Sequence, residues 1–108
     1  MGFTRYWRRP RELDPVKFRS FAEDCEQTCG GLNIEFVDAV FDEERVAFGA
    51  KPFCEWFQIE RVSLNREHKG MVSEFCKTQQ LPYDVAVMRC LELLKAHFGS
   101  EVDLPIPS

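Results

Sequence analysis

Five side chains with usable chemistry crowd one short stretch of this chain: the thiol of Cys76, the ammonium of Lys77, the hydroxyl of Thr78, the phenol of Tyr83 and the carboxylate of Asp84. Lys77 and a following helix N-terminus would both lower the pKa of the Cys76 thiol and make it a nucleophile. The free N–H groups and positive dipole end of that helix would also hold a phosphate or a carboxylate. Both chemistries meet opposition. Asp84 competes for the same dipole with its own charge, and an Asp near a helix start is stabilising without any ligand. His97 is the natural base for Cys76, but it sits about four helical turns on, roughly 20 Å away. Cys76, Lys77, Thr78, Tyr83 and Asp84 are therefore read as a candidate ligand-binding site for a small anion, with no catalytic role assigned. Phe75 is expected to anchor the segment in the core, leaving Lys77 and Thr78 to face one mouth.

Two further constellations carry weaker signals. Cys25 and Cys29 have the spacing to place two thiols on adjacent turns of a helix, as a zinc site would require. They also share a face with Phe18, Phe21 and Ala22, and free cysteine is among the most buried residue types. Core thiols are the expected reading, with no metal and no cofactor. Near the N-terminus, Arg5, Tyr6, Trp7, Arg8, Arg9 and Arg11 interleave cations with aromatic rings, a mixture that binds single-stranded nucleic acid. In a strand, however, Phe3, Arg5, Trp7 and Arg9 fall on one face and Thr4, Tyr6 and Arg8 on the other, which splits the charge. The chain holds no phosphate-binding glycine loop, no metalloprotease histidine pair and no nucleophile elbow.

Positioning these residues requires both helix and sheet. Residues 3–9 favour a strand ending at Pro10. Asp14 then caps a helix with Pro15 at its first position, and Leu13 and Phe18 have the spacing of a hydrophobic staple. The helix buries Phe18, Phe21, Ala22, Cys25 and Cys29, and Gly30-Gly31 is expected to end it through a left-handed turn. Strands are expected over residues 33–41, 45–48 and 54–62, with residues 63–70 a polar loop. A second helix runs from Pro82 to a stop at Gly99, with Ala86, Val87, Cys90, Leu91, Leu93, Leu94, His97 and Phe98 on one broad face. His97 is expected in the core, bonded to a carbonyl. Residues 101–106 would add a last edge strand. The order is β-α-β(2–4)-α-β, an α+β domain spanning residues 1–108, with two helices packed on one mainly antiparallel sheet.

Three segments together carry a resemblance. They are Gly2-Phe3-Thr4-Arg5-Tyr6-Trp7, Cys54-Glu55-Trp56-Phe57-Gln58-Ile59, and Phe75-Cys76-Lys77-Thr78 followed by Pro82-Tyr83-Asp84 and His97-Phe98-Gly99. In this order they resemble a widespread family of small uncharacterised proteins, and the similarity touches most of residues 2–104. The resemblance implies a stand-alone α+β domain and implies no activity. This chain ends soon after the expected last strand, where the resemblance leads one to expect a longer tail.

Composition narrows the classes further. Hydrophobic residues make up 44% of the 108, ten of them phenylalanine, enough for one real core. No apolar run approaches the ~20 residues that span a bilayer, and no apolar leader opens the chain, so no membrane association is expected. Five cysteines, an odd number without an export signal, fit reduced thiols in the cytoplasm. Residues 1–12 carry four arginines and one glutamate, and the rest carries ten basic and seventeen acidic residues. That acidic body would repel a long polyanion. The expected function is a non-enzymatic binding module for a protein partner or a small anionic ligand. The alternative is a small enzyme working at Cys76–Asp84, and the third reading is nucleic-acid binding through the N-terminal strand.

Overall fold

The computed structural model describes residues 4–51, 55–78 and 83–105, so the readings at Phe3, Cys54 and Pro82 lie outside the described residues. Strand β1 (Thr4–Arg9) is followed by helix α1 (Pro15–Gly30), strands β2 (Phe36–Phe41), β3 (Arg45–Ala50), β4 (Phe57–Glu60), β5 (Glu67–His68) and β6 (Met71–Lys77), and helix α2 (Asp84–Phe98). The α+β class and the antiparallel pairing stand. The strands, however, divide between two three-stranded sheets, ordered β1-β6-β5 and β2-β3-β4.

Local signals account for most element ends. The Asp14 carboxylate accepts the Lys17 N–H at 3.0 Å, and Pro15 fills the first helical position, where its missing N–H is harmless. The far end of α1 differs from expectation. Gly31 has φ −89° and ψ −4°, so the chain leaves through a right-handed turn closed by Gly31 N–H to Thr28 C=O at 3.2 Å. At the end of α2, Gly99 adopts φ 59°, a conformation that costs glycine nothing. Residues 63–70, expected as loop, contain half of a β-hairpin. Lys69 and Gly70 both take positive φ, 54° and 80°, and turn His68 back onto Met71. The expected last strand reduces to one bridge, Arg8 with Asp103, whose N–H and C=O groups exchange bonds of 2.9 Å.

Aromatic rings join the layers. Phe57 packs edge-on to Trp7 of the first sheet at 5.5 Å between ring centres, and on Phe48 of the second at 5.0 Å. Phe36 and Phe41 flank Phe48 from β2. The helices meet through Phe21, whose ring lies 6.4 Å from Phe98, and through thiols. Cys25, Cys29 and Cys90 are all buried, with the Cys29 and Cys90 sulfurs 3.9 Å apart. Cys25 lies near enough to Cys90 to influence its thiol. His97 differs from its expected carbonyl bond: Nε2 pairs with Asp24 Oδ2 at 2.7 Å and ties α2 to α1 at the edge of the core. Among the described residues no helix is long and apolar enough to cross a membrane.

Candidate functional site

The helix entrance singled out from sequence is assembled, but it serves its own contacts. Asp84 lies in the first turn of α2, and Arg5 grips its carboxylate with two 2.7 Å bonds, Nε to Oδ1 and Nη2 to Oδ2. Thr78 is fully buried and bonds the same carboxylate. The anion at this dipole end is therefore the protein's own. Tyr83 is buried, and its hydroxyl donates to Glu55 C=O at 2.8 Å, with Lys77 C=O at 3.3 Å and the Cys76 sulfur at 3.4 Å. Cys76 is buried as well, with its sulfur 3.8 Å from Trp56 C=O. The structure thus brings Cys76, Thr78, Tyr83 and Asp84 together through direct contacts and leaves Lys77 exposed. Phe75 reverses its expected role: its ring is 56% exposed, and Thr78 is the residue that points inward.

Asp84 shows how tightly this entrance is held. Burial alone would raise its pKa, but the bonds from Arg5 and Thr78, with the charge of Arg5, outweigh burial and hold the carboxyl below the usual range. A depressed folded value means stability that is present above the unfolded pKa, about 3.9, and is lost as pH falls through the folded one. Arg5→Ala is expected to cost about 1–2 kcal/mol at pH 7, discounted for partial solvent screening. Urea denaturation at pH 7 and pH 2.5 checks this. The gap between wild type and variant should shrink at pH 2.5, and an equal gap at both pH values would refute the pairing as its source.

A second place emerges from strand geometry. Alternate residues of an antiparallel strand direct their main-chain groups to the same neighbour. Arg61 N–H donates to Glu44 C=O at 2.8 Å, so the main-chain groups of Phe57 and Ile59 face β3, while those of Gln58 and Glu60 face away from it. Arg8 exchanges its main-chain bonds with Asp103, so in the β1–β6 ladder Val72, Glu74 and Cys76 face β1, and Phe75 and Lys77 face the opposite side. Strand β5 covers β6 only as far as Val72. The uncovered edges of β4 and β6 border a cavity of about 370 Å³, lined by Trp56, Gln58, Glu60, Ser73 and Phe75, with Trp7, Glu74 and Asn65 completing it.

The floor of this slot is tied together by side-chain hydrogen bonds. Glu74 accepts bonds from Trp7 Nε1 (2.9 Å), Ser63 Oγ (3.1 Å) and Asn65 Nδ2 (2.9 Å), and Arg9 Nη1 lies 3.5 Å away. Arg9 is wholly buried and also donates to the carbonyls of Pro10, Arg11 and Arg61. Burial pulls its guanidinium below the ordinary range, against the charge and hydrogen bond of Glu74 and the charge of Glu60. The rim is aromatic. Trp56 is 42% exposed, and its Nε1 reaches Gln58 Oε1 at 3.2 Å. Phase alternation also sets Phe75 outward beside Tyr6 across the strand pair, with ring centres 6.3 Å apart.

Sequence reasoning missed this slot because its signal is inverted. Along β6 the inward positions are Val72, Glu74 and Cys76, and the outward ones include Phe75. A carboxylate inside and a phenyl ring outside hide the alternation that marks a strand. A core arginine as the partner of Glu74 was the available clue. The basic N-terminal strand is largely committed in the same way: Arg5 is bound to Asp84 and Arg9 to Glu74, and Arg11 lies 3.6 Å from Glu67. Among the described residues no group of three or more His, Cys, Asp or Glu side chains is arranged to hold a metal ion. Comparison with known proteins finds no matching family model, no matching curated protein and no matching solved structure.

Proposed function

We propose that this protein is a non-enzymatic interaction module that binds a protein partner at the slot between β4 and β6. The observation that carries this reading is the exposure of Trp56 and Phe75 on the rim of a cavity whose floor is fixed by buried bonds. Exposed aromatic rings on a rigid frame are what the centres of protein interfaces use, because they bury much area at little entropic cost. The anionic-ligand reading has less support, since the α2 entrance already holds the Asp84 carboxylate between Arg5 and Thr78. The enzyme reading would need Cys76 as a nucleophile, and that thiol is buried against the Tyr83 hydroxyl and the Trp56 carbonyl. Nucleic-acid binding loses Arg5 and Arg9 to internal carboxylates. Reduced, buried Cys25, Cys29, Cys76 and Cys90 support a cytoplasmic location.

Selection of a displayed library of random decapeptides on the immobilised protein tests the reading. Clones should be retained by the wild type and lose at least about tenfold in affinity on a Trp56→Ala/Phe75→Ala variant, the cost of one strong aromatic contact. The variant's thermal melt shows whether it remains folded. A selection that returns no specific clone, or clones indifferent to both substitutions, would remove the proposal.

A further inference from the structure

Resting on the reading of the slot as a partner site, we infer that its occupant is an extended peptide segment bearing a basic side chain, added as a new strand to the free edge of β4. The edge itself supplies the first argument. The N–H and C=O groups of Gln58 and Glu60 point away from β3 into the slot, and no main-chain partner for them occurs among the described residues. Unpaired edge groups are a template for an added strand, and strand addition gains its affinity from main-chain hydrogen bonds. The edge carries no lysine and no proline, the strand being Phe-Gln-Ile-Glu.

The lining supplies the second argument. Among the described residues Glu60 makes no close salt bridge: Arg45 stands opposite it in the β3–β4 register, and the Glu60 charge acts on buried Arg9, which is bonded instead to Glu74. Glu74 is already satisfied by Arg9 and its other donors, and no basic side chain lines the cavity. An incoming lysine or arginine would meet the Glu60 carboxylate beside the faces of Trp56 and Phe75, and aromatic faces attract cations as well as apolar groups. In a strand, side chains alternate between faces, so one basic residue with apolar residues two positions away would satisfy both the carboxylate and the rings.

The inference is tested with a decapeptide taken from the displayed-library selection, synthesised in natural form, with alternate backbone amides N-methylated in each of the two registers, and with its basic residue changed to glutamate. Fluorescence anisotropy gives the affinities. One N-methylated register should bind at least tenfold more weakly than the natural peptide, the glutamate form should bind at least tenfold more weakly, and Glu60→Gln should lower affinity for the natural peptide about fivefold. Hydrogen exchange at Gln58 and Glu60 should slow on binding. Gln58→Pro removes a slot-facing N–H without touching the β3 ladder, and should weaken binding while the melt shows a folded protein. Binding that ignores N-methylation in both registers and leaves the exchange of Gln58 and Glu60 unchanged would overturn strand addition while leaving the partner reading intact. A concentration-dependent dimer that protects the same amides without peptide would overturn it in favour of a second copy of this chain.

Discussion

Replacing Glu74 by alanine is expected to lower stability by about 3–5 kcal/mol, the range for breaking a buried ion pair by removing one partner. The carboxylate gathers Trp7 Nε1, Arg9 Nη1, Ser63 Oγ and Asn65 Nδ2, from two separate parts of the chain. Without it the wholly buried Arg9 guanidinium keeps only carbonyl partners and the unbonded charge of Glu60. Glu74→Gln should cost less, because it retains an acceptor for Trp7. Replacing both members, Arg9→Met with Glu74→Met, should be less damaging than the two single losses added together, since no stranded charge remains. Urea denaturation with an unchanged m-value measures all of these. A loss below about 1 kcal/mol for Glu74→Ala would show that the cluster is dispensable to the fold.

Phe57→Ala should be of similar size, about 3–5 kcal/mol, through transfer and cavity terms together. Its ring packs on Trp7 in one sheet and Phe48 in the other, so the cavity opens at the junction of the sheets. A thermal melt should fall by more than about 12 °C. Phe57→Leu keeps most of the volume and should cost about 1.5 kcal/mol or less. Leu64→Ala is the natural control, because Leu64 is 89% exposed and its truncation should stay within about 0.5 kcal/mol. Equal effects at Phe57 and Leu64 would mean that the aromatic bridge does not join the sheets energetically.

How much of this was legible in the chain follows from where side-chain chemistry agreed with position. Helix α1 was readable because Asp14, Pro15 and the spacing of Phe18, Phe21, Ala22, Cys25 and Cys29 all point to the same element. Helix α2 was readable for the same reason, and the buried state of Cys25 and Cys29 followed from their company. The split into two sheets was not readable, because each short strand shows only its own alternation and pairing is decided by partners distant in sequence. The β6 strand was obscured by Glu74 and Phe75, whose sidedness depends on Arg9 and Trp7 some sixty-five residues earlier. The candidate residues Cys76, Thr78, Tyr83 and Asp84 were correctly seen as neighbours. Their partner Arg5 reads in the sequence as part of the basic strand, and nothing local signals an ion pair with a residue seventy-nine positions on.

The sulfur atoms sealed between the helices give the protein a built-in gauge of its own breathing. Hydrogen bonding to Cys90 and burial push the Cys29 thiol far above its ordinary pKa, and the nearby Cys25 thiol and burial do the same for Cys90. Alkylating reagents attack thiolates, so in the closed molecule these groups have neither the charge nor the access to react. Modification must wait until α1 and α2 part. The rate at which iodoacetamide labels Cys29 and Cys90 in native buffer therefore counts openings of the helix seam directly, and peptide mass mapping can time that seam separately from the loosening of either sheet.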